Sequence, residues 1–148
     1  AVIRVGGATE VEMTERKHRV EDALEAVRSA QEEGIVGGGG TALLRASNNS
    51  FIDGHDKKST MASKIIQIAC SSPIRQMAEN AGFSADIVTK EVLDADDNKG
   101  WDFRDNQLTN LYESGIIDPV KVTRTALQNA VSCAGTLITT NYGIIQME

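Results

Sequence analysis

A chain of 148 residues, 41% hydrophobic and 24% charged, is long enough to bury a core as one domain without disulfide or metal staples. Its net charge of −6 offers no basic surface for nucleic acid or an anionic membrane, and neither is expected as a partner. No apolar run approaches the ~20 residues that span a bilayer, and no charged leader followed by an apolar core opens the chain.

The opening stretch AVIRV is apolar and β-branched, and is expected as a short strand with no sequence neighbour to pair with, which reads as a cut through a longer protein. Thr9 and Glu12 then make a capping box, and helix formers continue until Gly34 supplies a stop. Val20, Leu24 and Val27 recur at helical spacing as the apolar stripe of this long helix, with Asp22 on the opposite side. Glu12 with Arg16, and Glu15 with Arg19, are spaced to pair along exposed turns.

Four consecutive glycines, 37–40, follow. Such a run is entropically costly unless the native backbone needs positive φ or very close approach by another group. Two groups can make that approach: a packed helix, which the glycines alone favour, or a phosphate or nucleotide at the start of the next helix.

Residues 41–46 are expected as a short helix and 48–58 as a polar, solvated loop holding Asp53, His55 and Asp56. Helical patterning resumes over 61–70, Pro73 is placed to start a further helix that Gly82 ends, and Ser84 to cap another running toward Leu93. The segment 96–106, with Trp101 and Phe103, suits a hairpin or a ligand-lining loop. Asp118-Pro119 reads as an N-cap and first-turn proline for a helix on which Val122, Ala126, Ala130, Cys133 and Leu137 share one face. The tail 141–147 is short and apolar enough to be a strand that needs a partner. Cys70 and Cys133, with no CxxC and no local base, read as buried free thiols in a reducing compartment.

Three blocks in this order, VGGATEVEM, RVEDALEAVRSAQEEGIVGGGGTALLR and SGIIDPVKVTRTALQNAVSCAGTLITT, resemble the C-terminal portion of a group I, GroEL-type chaperonin subunit, and the likeness covers nearly the whole chain. The resemblance implies a mainly α fold: the helical bundle of an equatorial domain with a short β-hairpin and terminal strands, preceded by a long intermediate-domain helix. Residues 1–33 would be the intermediate-domain segment and 34–148 the C-terminal half of the ATP-binding equatorial domain.

The same resemblance implies an ATP-dependent machine that assists protein folding inside a ring-shaped cavity. Asp22 would be the catalytic carboxylate that orients water for ATP hydrolysis, a role that suits an ionised acceptor near a γ-phosphate, although an Asp on a polar helical face is by itself ordinary solvated surface. Gly39 would be the backbone contact to nucleotide. Asp118 would hydrogen-bond the ribose in addition to capping its helix. Asp102, Phe103 and Arg104 align with the adenine-lining stretch, but Phe103 and Arg104 depart from the small residues usual there, and Phe103 would either stack on the base or obstruct it.

The implied cofactors are ATP with magnesium, and potassium as a further ion. The family's main phosphate- and magnesium-binding loop is not among these residues, so the metal would draw no ligand set from this chain, and the isolated chain is expected to be inactive. The implied partners are other chaperonin subunits in a heptameric ring, with a co-chaperonin and unfolded polypeptide engaged through an apical domain. The implied location is bacterial cytoplasm or an organelle matrix. The competing expectation is a non-catalytic helical assembly module that acts through subunit contacts, with the tail as an association edge.

Overall fold

The computed structural model describes residues 2–49 and 57–145. In chain order these form α1 (Glu10–Glu33), β1 (Ile35–Gly37), α2 (Thr41–Asn49), α3 (Lys57–Asn80), α4 (Ala85–Asp94), β2 (Lys99–Asp102), β3 (Gln107–Asn110), β4 (Ile117–Pro119) and α5 (Val120–Ile138). The fold is mainly helical, as expected. Two short antiparallel strand pairs accompany the helices: the hairpin β2–β3, and the pair β1–β4 formed between distant parts of the chain.

The start of α1 follows directly from its sequence. Thr9 is the N-cap, its hydroxyl accepts the Glu12 N–H at 3.2 Å, and the Glu12 carboxylate accepts the Ala8 N–H at 2.9 Å. The ion pairs Arg16–Glu12 and Arg19–Glu15, each 2.8 Å, run along the exposed surface. Gly34 ends the helix at φ 85°, and its N–H donates to the Ala30 carbonyl at 2.8 Å.

The apolar stripe expected of α1 is only partly its packing face: Val20 is half-buried and Val27 borders the cleft, but Leu24 and Val27 are 45% and 56% exposed where the helix meets β4 and α5. Ala23, Ala26, Val27 and Ala30 line the cleft on that side. Small side chains allow the close approach, and a face made largely of alanine leaves little trace in a hydrophobic periodicity.

The core lies between α2, α3 and α4 and is closed at one end by the β2–β3 hairpin. Leu44, Ile74, Ala78, Ala85, Val88 and Val92 form its buried cluster, and Met77, Phe83, Trp101, Phe103 and Leu108 pack around them. The rings of Phe83 and Trp101 meet at 6.4 Å with a 54° tilt. Burial of each branched side chain contributes ~1.5–3 kcal/mol.

Pro73 does not start a helix. It sits inside the continuous α3, where both it and Ala69, whose carbonyl loses its helical partner, are exposed, so the lost bond is not a buried one. Gly82, at φ 82°, then closes α3 in a Schellman arrangement, with the Phe83 N–H donating to the Ala78 carbonyl at 2.8 Å. Ser84 is the N-cap of α4 as expected, although its side chain makes no capping bond. The ends of the segment expected as a loop over 48–58 are helical, since α2 extends to Asn49 and α3 starts at Lys57; Asp53, His55 and Asp56 lie outside the described residues.

Residues 2–7 and 140–145 form no strand, which corrects the expectation of terminal strands. A strand requires a hydrogen-bonding neighbour, and neither segment finds one among the described residues. The shared face expected on α5 is also exposed: Val122 is 51% and Leu137 75% accessible, and Cys133 is exposed rather than buried. Only the first turns of α5 are half-buried, against α1. Cys70 is buried as expected, and burial pushes its thiol pKa up. Among the described residues no helix is long and apolar enough to cross a membrane.

Candidate functional site

The pair β1–β4 organises one junction of the molecule. Its register sets Val36 against Asp118 and Gly37 against Ile117, and the Gly38 N–H extends the ladder to the Ile116 carbonyl at 2.9 Å. The glycine run therefore leaves β1 opposite Ile117 and Ile116, with Asp118 facing Val36 just before it. The Val120 N–H donates to the Gly34 carbonyl at 3.1 Å, which ties the C-terminal end of α1 to the same place.

The four glycines have separable reasons. A side chain on Gly37 would put its Cβ 2.8 Å from Leu111 Cδ1, and one on Gly38 would put it 3.2 Å from the Ile116 backbone. Gly40 has φ 74°, and a Cβ there would lie 2.9 Å from the Ile74 backbone nitrogen. These three are explained by close packing of protein on protein. Gly39 differs: its φ is 65°, yet a Cβ would meet only the Trp101 carbonyl oxygen, at an ordinary 3.6 Å. Its requirement is conformational, and its surroundings are open.

Asp118 is half-buried on β4 and lines an apolar cleft of about 220 Å³ together with Ala23, Ala26, Val27, Ala30, Ile35, Ile117 and Pro119. Desolvation by these neighbours raises its carboxyl pKa above the ordinary value. It is not a helix cap. Pro119 occupies the N-cap position of α5, and β4 pairing holds Asp118 in extended backbone one residue earlier. Among the described residues no side-chain hydrogen bond engages its carboxyl group, which leaves both oxygens as acceptors toward them.

Asp22 is exposed on α1, one helical turn before Ala26. At 3.6 residues per turn it lies about 90° around the helix from the alanine face, on the flank of the α1–β4 cleft rather than directly opposite it. Two ion pairs anchor the end of α1 to α5. Arg124 grips Glu33 with two bonds of 2.9 and 2.7 Å, and Lys121 meets Glu32. The Arg124 guanidinium holds the Glu33 carboxyl below the usual range.

Asp102, Phe103 and Arg104 open the turn of the β2–β3 hairpin. The Asp102 carboxylate accepts the Arg104 N–H at 2.8 Å and the Asp105 N–H at 3.3 Å, and Asn106 completes the turn at φ 61°. Phe103 packs on the core, and Arg104 is exposed. The hairpin thus accounts for Asp102 and Phe103 through local structure. Among the described residues no group of three or more His, Cys, Asp or Glu side chains converges as a metal site.

Arg45 on α2 carries the densest side-chain bonding near this junction and stands out in no sequence pattern. Its Nη2 lies within 2.7–3.3 Å of the carbonyl oxygens of Val92, Ala95, Asp96 and Lys99, and its Nη1 is 2.9 Å from Asp97. The partners that matter are backbone carbonyls, which leave no residue-type signature.

A model of the TCP-1/cpn60 chaperonin family matches residues 1–148. A solved structure, the crystal structure of a group III chaperonin in the open state, matches with a TM-score of 0.78 and 27% identity over 95% of this chain. The chain spans 30% of the length of that protein. This match overturns the group I, GroEL-type reading: the structural likeness is to a group III chaperonin, and the family model joins the TCP-1 and cpn60 branches, so the three sequence blocks identify the family and not that branch. The chain belongs to the TCP-1/cpn60 chaperonin family.

Proposed function

We propose that the chain supplies one wall of the ATP site of a chaperonin that assists protein folding within a ring-shaped cavity. The observation that carries this reading is the β1–β4 pairing, which sets the half-buried Asp118, without a side-chain partner among the described residues, opposite Val36 on the strand that runs from the end of α1 into the positive-φ Gly39 loop. In this reading residues 1–33 are intermediate-domain and 34–148 equatorial.

Asp118 suits a ribose because a carboxylate without a protein partner accepts hydrogen bonds from two neighbouring hydroxyls, and apolar walls strengthen such bonds by excluding water. Gly39 offers backbone that a ligand can approach without meeting a Cβ. Asp22, carried on the flank of α1, would act as the acceptor that orients water, brought to the nucleotide by movement of the helix about Gly34. Asp102, Phe103 and Arg104 would contribute the turn that faces the base, through backbone groups, since Asp102 and Phe103 are otherwise engaged.

Magnesium and potassium would accompany the nucleotide and neutralise its phosphates. Further chaperonin subunits, a co-chaperonin and unfolded polypeptide are the partners of this reading, and cytoplasm or an organelle matrix its location. A second reading, a non-catalytic assembly module, is favoured by the exposed apolar side chains of α3, α5 and the tail, among them Met61, Ile65, Ile68, Leu137, Ile138 and Tyr142.

Titration with ATP separates the two. The ATP reading expects saturable binding that Asp118→Asn weakens about tenfold, the equivalent of ~1.4 kcal/mol. Equal affinity of the two proteins would remove Asp118 from the site, and association of the chain without nucleotide binding would favour the assembly module.

A further inference from the structure

Arg45 lies one helical turn beyond Thr41, on the helix that the glycine run opens, and its side chain is only 14% exposed. Its guanidinium reaches across to the C-terminal carbonyl of α4 at Val92, through the connection at Ala95 and Asp96, and to Lys99, the first residue of β2. These carbonyls belong to a helix end and a strand entry, where backbone acceptors lack helical partners, although Asp96 also accepts the Lys99 N–H; the two hydrogens of the one Nη2 amino group are shared among them. The ion pair to Asp97 contributes little, because that carboxylate is 97% exposed.

The consequence is a fixed spacing. Lys99 stands three residues before Asp102, and the Trp101 carbonyl between them is the neighbour of Gly39. Arg45 thus ties the helix that follows Gly39 to the strand that delivers the Asp102 turn.

We infer that Arg45 is a positioning residue that holds the 102–105 turn at a set distance from the Gly39 backbone, so that both segments face one ligand. It touches no ligand itself. The inference rests on the ATP-site reading for the identity of that ligand, but the clamp can be tested without nucleotide.

The test compares wild type with Arg45→Met and Arg45→Lys by hydrogen exchange over 99–110 and over the buried stretch of α3, and by ATP titration, with circular dichroism as the folding control. The Met variant keeps an unbranched stem as far as the ε position and loses every bond; Lys keeps the charge without the guanidinium. The clamp expects exchange over 99–106 to rise at least tenfold in Arg45→Met, less in Arg45→Lys, with a much smaller change in α3, and ATP affinity to fall about tenfold. A merely stabilising role would accelerate exchange uniformly and would overturn the inference, as would an unchanged hairpin in a folded variant. A loosened hairpin with undiminished ATP affinity would overturn its link to the ligand. Absence of ATP binding by wild type would instead overturn the ATP-site reading, while the exchange pattern still decides the clamp. If Arg45→Met does not fold, Arg45→Lys supplies the same comparison.

Discussion

Gly39→Ala and Gly40→Ala are adjacent substitutions of identical chemistry for which the structure assigns different outcomes. Both positions have positive φ, 65° and 74°, so each alanine carries left-handed strain of ~1–2 kcal/mol, offset by ~0.4–1 kcal/mol from a stiffer unfolded chain. At Gly39 nothing more is added, because the new methyl meets only the Trp101 carbonyl at 3.6 Å; the net cost is about 1 kcal/mol. At Gly40 the methyl would lie 2.9 Å from the Ile74 nitrogen and 3.1 Å from both Ile74 Cβ and Met77 Cε. Helix backbone cannot swing aside as a side chain can, so overpacking adds ~1–3 kcal/mol and brings the total to about 2–4 kcal/mol. Urea unfolding followed by circular dichroism reads both values from the midpoints and slopes. Equal destabilisation by the two alanines would refute the division of the glycine run into packing residues and an open Gly39.

Other substitutions test the remaining elements. Asp22→Ala in the assembled chaperonin should leave nucleotide affinity within about twofold and slow steady-state ATP hydrolysis by at least about a hundredfold, as loss of an acid–base group does; wild-type turnover would remove Asp22 from the chemistry. Ile74→Ala should cost ~2–5 kcal/mol because Ile74 is fully buried. Leu137→Ala, at a position 75% exposed, should stay within ~0.5 kcal/mol in the isolated chain. Asp118 has a folded pKa raised by desolvation, so its protonated form is favoured by folding: the advantage is full below the unfolded carboxylate value and is lost as pH rises through the folded one. Asp118→Asn should therefore unfold at higher urea than wild type at neutral pH, with the gap narrowing in acid; a gap independent of pH would assign it to another cause.

What could be read from sequence were the features whose causes are local. The Thr9–Glu12 box, the Gly34 and Gly82 stops and the hairpin around Asp102 each depend on a residue and its near neighbours, and each is where the residues place it. What could not be read depends on partners. Val20, Leu24 and Val27 form a regular stripe, but periodicity did not show that the face meeting β4 is centred on Ala23, Ala26 and Ala30, with Val27 at its edge, because alanines are nearly silent in it. The α5 face fails in the same way, its small and apolar side chains remaining exposed among the described residues. Asp118-Pro119 carries a capping signature that β4 pairing overrides by keeping Asp118 extended. The Arg45 clamp was invisible because its partners are carbonyls, identical in every residue.

The reach of the family assignment follows the same division. The sequence blocks and the helical core identify a TCP-1/cpn60 chaperonin, whereas the branch does not follow from them, and the solved structure that matches is of group III. The candidate site is a junction of β1, β4, α1 and the glycine run, and every residue proposed for it except the hairpin turn lies within two residues of that strand pair or on the helix that enters it.

The most direct measurement is a titration of the isotopically labelled chain with ATP, followed by amide chemical shifts. If the chain forms one wall of a nucleotide site, saturable shifts should concentrate at residues 37–40, at Asp118 and at 102–104, and leave the buried stretch of α3 around Ile74 unmoved. Absence of saturable shifts at millimolar ATP, or shifts centred elsewhere, would contradict the account.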